Sequence, residues 1–114
     1  MSDTYRFSDM SVEQLRKEAA KFKEKAQRAE QLGNPSEMAI NERKMQVALA
    51  YTLNPDDFEP GEIYELRGDP GHTFKINYIN GVFAWGQRVN LLGELYEAEE
   101  ALPISLLGNK KQYK

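Results

Sequence analysis

Apolar residues in the first half of the chain recur at alternating spacings of three and four: Val12, Leu15, Ala19, Phe22, Ala26 and Ala29. That is a heptad seam on one face of a helix. Ser11-Val12-Glu13-Gln14 is a capping box, in which the serine and the residue three places on satisfy each other's backbone N–H groups. Gly33 ends the helix, because it tolerates the left-handed backbone needed there. Ala19, Ala26 and Ala29 let a second helix approach closely. Asn34-Pro35-Ser36-Glu37 starts that helix at once, with Asn34 as the cap, Pro35 at the first helical position and Glu37 placed to complete a second box. So short a connection requires an antiparallel pair. The second helix is predicted to run to about Leu53. Met38, Met45 and Ala48 lie on one stripe and Ile40, Val47 and Tyr51 on the next. This arc is wider than one partner helix needs, so the hairpin is expected to pack on the remainder of the chain as well.

After Asn54-Pro55-Asp56-Asp57 the period changes to two. Strands are predicted over 62–67, 72–79, 82–88 and roughly 96–102, with Gly68-Asp69-Pro70-Gly71 closing the first. Asn80-Gly81 is the strongest hairpin signal, since both central residues of a type I′ turn need positive φ. Placed there, the turn sets Ile79 opposite Val82, Tyr78 opposite Phe83, Ile76 opposite Trp85 and Phe74 opposite Gln87. Phe74, Ile76, Tyr78, Phe83 and Trp85 would then share the core face. Gly86 within a strand suggests a bulge or sharp bend. Pro103 breaks the fourth strand, and Ile104, Leu106 and Leu107 can tuck back as a single turn or a short last strand. The expected fold is α+β: a helical hairpin over 1–53 packed on an SH3-like small β-barrel with a basic tail over 54–114. A barrel that small is marginal alone, so the two are expected to form one cooperative unit.

Charge separates the two halves. Residues 1–53 carry nine basic and eight acidic side chains. Residues 54–107 carry Arg67, Lys75 and Arg88 against ten acids. A nucleic-acid-binding barrel is normally basic, because phosphate neutralisation supplies most of its affinity. Any such contact must therefore come from the first helix or the tail lysines, Lys110, Lys111 and Lys114. The chain has no cysteine, which removes disulfides, thiolate metal sites and thiol chemistry and suits a cytoplasmic location. Neither a run of about 18 apolar residues nor a basic-then-apolar leader is found, so no membrane association is expected.

Three stretches carry a family resemblance. They are Leu53-Asn54-Pro55-Asp56-Asp57-Phe58-Glu59-Pro60-Gly61-Glu62, Tyr78-Ile79-Asn80-Gly81-Val82-Phe83-Ala84-Trp85-Gly86 and Glu100-Ala101-Leu102-Pro103-Ile104-Ser105. Together with Asn41-Glu42-Arg43-Lys44-Met45 and Ala29-Glu30-Gln31-Leu32-Gly33, they resemble the YfhH-like family of small proteins from Bacillus and relatives. The resemblance covers most of the chain and is weakest over 89–97 and the tail. It implies a helical hairpin followed by an SH3-like barrel in a bacterial cytoplasm. It implies no activity, although the family has carried a transcriptional-regulator label.

Candidate chemistry is sparse. His72 is the only histidine and lies beside the Pro70-Gly71 turn. General acid–base work would need a group to orient it, and Asp69 is the nearest in sequence, but a surface turn residue is the expectation. A Ser-His-Asp arrangement with Ser105 has no nucleophile motif behind it. The acidic runs Asp56-Asp57-Phe58-Glu59 and Glu97-Ala98-Glu99-Glu100 lack EF-hand spacing and read as solvated faces. No catalytic residue, cofactor or metal site is expected. The candidate partner-binding residues are Tyr64, Tyr78, Phe83 and Trp85, as aromatics left in a groove for a peptide, and Lys17, Lys21 and Lys25 on the basic face of helix 1. Most of these aromatics are expected to fill the core, and the helix face reads first as solvated ion pairs. Leu91 and Leu92 are apolar loop residues that would serve a dimer or partner contact, or pack across the barrel end. The expected function is a non-catalytic binding or regulatory protein that recognises a protein or peptide. The alternative is a nucleic-acid-associated transcriptional regulator acting through helix 1 and the C-terminal lysines.

Overall fold

The computed structural model describes residues 6–112, so Lys114 of the tail lies outside the described residues. The chain divides after Leu53 into two compact units.

The first unit is the antiparallel hairpin. Helix α1 spans Val12–Gln31 and buries Leu15, Ala19, Phe22, Ala26 and Ala29, five of the six seam residues; Val12 at its first turn stays exposed. The Ser11 hydroxyl accepts from Gln14 N–H and the Gln14 side chain accepts from Ser11 N–H, so both halves of the box form. Gly33 takes φ 73°. Helix α2 spans Pro35–Ala50, three residues shorter than expected, because Tyr51, Thr52 and Leu53 turn back on the last helical carbonyls. The Asn34 side chain accepts from Glu37 N–H, while the Asn34 N–H donates to Ala29 O at the end of α1. One asparagine thus closes one helix and opens the next, and its N–H is already used. Met38 and Met45 are only half-buried, whereas Asn41, Ala48 and Ala50 are buried. A 3-10 turn over Phe7–Asp9 sets the Phe7 ring edge-on to Phe22 of α1 and to Tyr51 after α2.

The second unit is a five-stranded antiparallel sheet in the order β4-β3-β2-β1-β5, with β1 Ile63–Leu66, β2 Asp69–Asn80, β3 Phe83–Asn90, β4 Glu100–Pro103 and β5 Leu107–Lys110. Strands β4 and β5 are its two edges, so the sheet is open rather than closed into a barrel. The first hairpin turns on Arg67-Gly68 alone, and β2 begins at Asp69, three residues earlier than expected. The Leu-Pro-Ile segment forms both expected features in succession, a 3-10 turn over Ile104–Leu106 and then β5.

The β2–β3 register differs from the expected one by two residues next to the turn and by one residue deeper in the strands. Asn80 pairs with Phe83, Ile79 with Ala84 and Tyr78 with Trp85. The two turn residues are therefore Gly81 and Val82, not Asn80 and Gly81. Of these two only Gly81 has positive φ, at 63°. That is the pattern with glycine at the first central position, which also suits the strand twist. A bulge between Ile76 and Tyr78 then resets the pairing so that Ile76 faces Gly86 and Phe74 faces Arg88. A one-residue slip exchanges the faces of a strand. The buried residues of β3 are consequently Ala84, Gly86 and Val89, with Phe74 and Ile76 from β2, while Tyr78 is 44 % exposed. Phe83 and Trp85 are half-buried. Gly86 is required by contact: a Cβ there would fall on the Lys75 carbonyl and against the Phe74 ring. Tyr64, Leu66, Val82, Leu102, Ile104 and Leu107 complete this core.

Candidate functional site

Two places in the sheet unit gather chemistry. The first is built around His72. The Arg67-Gly68 turn starts β2 at Asp69, so His72 lies within the strand opposite Asn90. Beyond Asn90 the chain reverses through Leu91-Leu92-Gly93. The Asn90 side-chain oxygen accepts from Leu92 N–H and Glu94 N–H, and its amide donates to Glu94 Oε1. The returning segment is tied down where Tyr96 N–H donates to Arg88 O and Gln87 Nε2 donates to Tyr96 O. Tyr96 is thereby placed so that its hydroxyl lies 2.7 Å from His72 Nε2, with the rings edge to face. His72 Nδ1 lies 3.0 and 3.1 Å from the two Asp69 oxygens.

Asp69 also accepts from Arg88 Nη1 at 2.6 Å, and Arg88 Nε donates to Glu100 Oε2 at 2.7 Å. The hydrogen bond from His72, with the nearby positive charge, holds the Asp69 carboxyl below its ordinary pKa, while the Glu100 partner raises that of Arg88. An ionised Asp69 can only accept, so His72 Nδ1 carries the hydrogen, and whenever the ring is neutral its Nε2 offers a lone pair to the tyrosine. The chain Asp69–His72–Tyr96 corrects the reading of His72 as a plain turn residue, and the orienting group is the aspartate nearest in sequence. Glu100 is ion-paired rather than simply solvated. A cleft of about 320 Å³ opens beside His72, lined also by Asp69, Thr73, Leu91 and Lys111. Ser105, the other nucleophile considered, is buried elsewhere and accepts from Arg67 Nε through its carbonyl.

The second place is aromatic. The bulge at Asn77 brings Tyr78 opposite Trp85, where the rings stack at 5.8 Å and 5°. Tyr78 also borders an open groove of about 710 Å³ with Phe58, Pro55, Pro60 and the exposed acids Asp56 and Glu59. Phe58 is braced by Tyr64 at 5.3 Å. Tyr64 itself is a core residue at 6 % exposure, donating its hydroxyl to Glu62 Oε1. Burial and this carboxylate push its pKa up to about 12. The Glu59 N–H, together with the same tyrosine contact, lowers that of Glu62.

Of the expected aromatic set, the structure brings Tyr78 and Trp85 together at the surface, places Tyr64 beneath the groove and leaves Phe83 half-buried at the start of β3. Lys17, Lys21 and Lys25 are exposed on α1. Lys21 pairs with Glu18 at 3.1 Å, and Lys25 lies over the Phe22 ring. The sequence pattern gives Phe58, Pro55 and Pro60 no binding role and places Tyr96 in a strand. Two prolines flanking one aromatic, ahead of the strands, were the available signal. Among the described residues no cluster of three acidic or histidine side chains could hold a metal ion, and no helix is long and apolar enough to cross a membrane.

Residues 5–108 match the model of a family described as a protein of unknown function, DUF1811. The chain belongs to that family. It is 46 % identical over 106 residues, 93 % of this chain and 97 % of the other, to the uncharacterized protein YfhH of Bacillus subtilis strain 168. Membership supports the YfhH-like resemblance carried by the Leu53–Glu62, Tyr78–Gly86 and Glu100–Ser105 stretches. The first two of these supply much of the aromatic groove, and the third supplies Glu100 of the His72 network.

Proposed function

We propose that this DUF1811 member is a non-catalytic binding protein that takes a protein partner into the groove beside Tyr78. The observation that carries the reading is the outward Tyr78–Trp85 stack bordering a groove with two prolines, a second aromatic ring and an acidic rim. Rigid aromatic surfaces give large contact area at small entropic cost, which is why they dominate recognition sites. Asp56 and Glu59, in a unit whose strands and loops are strongly acidic, select a segment bearing lysine or arginine. An open groove walled by aromatic and proline rings suits an extended segment that carries proline.

We also infer that the open sheet follows an SH3-like strand arrangement. Its support is five antiparallel strands, a long bulged β2 shared between neighbours and a 3-10 turn before the last strand. A cytoplasmic location accords with the absence of cysteine.

The test is a titration of the full chain with a short proline- and arginine-rich peptide, followed by Trp85 emission. Saturable binding that Tyr78→Ala and Glu59→Lys each weaken at least about tenfold supports the reading. Equal affinity for a proline- and glutamate-rich peptide refutes it. So does finding that duplex DNA binds instead and that Lys17→Glu with Lys21→Glu and Lys25→Glu abolishes this, the result a nucleic-acid regulator would give.

A further inference from the structure

The His72 network has a consequence that partner binding does not use. We propose that Tyr96 is a nucleophilic acceptor hydroxyl, primed by His72 for acylation by neutral active esters. The parts and their order are those of a nucleophile, a base and a group that orients the base. The Tyr96 hydroxyl donates to His72 Nε2 at 2.7 Å, and the opposite ring nitrogen is fixed by both oxygens of Asp69. Asp69 is in turn held by Arg88, and Arg88 by Glu100. The imidazole is therefore anchored through contacts that reach three strands.

Tyr96 is 44 % exposed, so an electrophile can reach it. The exposed segment that carries Tyr96 also holds Glu94, Glu97 and Glu99. These carboxylates repel an anionic phosphoryl donor, and the site selects for an uncharged ester.

In the step, the Tyr96 oxygen bonds to the ester carbonyl carbon as the bond from that carbon to the leaving oxygen breaks. His72 Nε2 takes the phenolic proton and passes it to the departing alkoxide or phenolate. The tyrosine ends as an ester and the imidazole returns neutral, with no other reactant consumed. Such a tyrosine is a modification site and needs no turnover, so it stands whether or not the groove binds a peptide.

The structure supplies its own controls, because Tyr51 and Tyr78 are 38 % and 44 % exposed. The full chain is treated with p-nitrophenyl acetate, and acetylation of each tyrosine is followed with time by peptide mass spectrometry. Tyr96 is expected to react at least about tenfold faster than Tyr51 and Tyr78, a conservative share of the rate that general-base assistance contributes. His72→Asn should bring Tyr96 down to the rate of the controls, and Asp69→Asn should lower it by a smaller factor. Unchanged labelling of Tyr78 in both variants reports an intact sheet. A Tyr96 rate no faster than that of Tyr78 would overturn the proposal. So would a rate that rises or holds in His72→Asn, the outcome expected of a histidine that merely covers the hydroxyl.

Discussion

The helical hairpin and the β-sheet reach comparable order by different physical routes. In the hairpin each local signal does one job and neighbouring signals agree. The Ser11 box, the Leu15-to-Ala29 seam, the positive φ of Gly33 and the Asn34 cap all lie within a few residues of the contacts they specify. In the sheet the decisive features are a choice between adjacent turn positions, which moves each pairing by two residues, and one extra residue at Asn77, which changes the face of every residue beyond it. Helix placement is therefore robust to small errors, whereas strand placement is set by single residues.

The largest expected effect tests that sensitivity at Gly86. Gly86→Val places side-chain carbon on the Lys75 carbonyl, where backbone cannot yield, and should cost at least about 4 kcal/mol, read as loss of the Trp85 near-UV signal. In the hairpin the counterpart is a cavity rather than a clash. Leu15 is 2 % exposed, so Leu15→Ala should cost about 3 kcal/mol by denaturant titration. Asn34→Ala, which removes the cap on Glu37 N–H, should cost about 1 kcal/mol.

The turn offers a sharper contrast. Gly81 alone has positive φ within it, so Gly81→Ala should cost about 1 kcal/mol, and Asn80→Thr, at an exposed strand end, should stay within about 0.5 kcal/mol. Equal losses at both positions would restore the Asn80-Gly81 turn. A further contrast is one of pH. Because the folded Tyr64 pKa is raised to about 12 from 10.0, its contribution to stability is complete below the unfolded value and is lost as pH rises through the folded one. Ultraviolet titration should find Tyr64 ionising well above the ordinary tyrosine value of 10.0, and Tyr64→Phe should flatten the alkaline loss.

How much could be read from sequence obeys the same division. The seam, both caps, the α+β class and the single turn after Pro103 were legible because period and punctuation are local. The reach of β2 was underestimated because Asp69-Pro70-Gly71 has turn composition; a tighter Arg67-Gly68 reversal wins, since Gly68 supplies the positive φ at 79°. The register was misjudged because Asn-Gly can occupy either of two adjacent settings. Here Val82 is buried at the second turn position, a packing gain that no dipeptide preference records. The Asp69–His72–Tyr96 chain could be half seen, because its aspartate is three residues from the histidine. Its tyrosine is 24 residues away and arrives only through the Asn90-stabilised reversal. The groove eluded reading because Phe58 and the prolines precede the strands they border.

Cross-strand nuclear Overhauser contacts between β2 and β3 probe the register directly. The expected contacts pair Tyr78 with Trp85 and Ile79 with Ala84 and are interrupted at Asn77, with the Tyr78 and Trp85 rings stacked on the outer face. Contacts pairing Ile76 with Trp85 and Tyr78 with Phe83 would contradict this register, return the rings to the core and remove the surface on which the binding proposal rests.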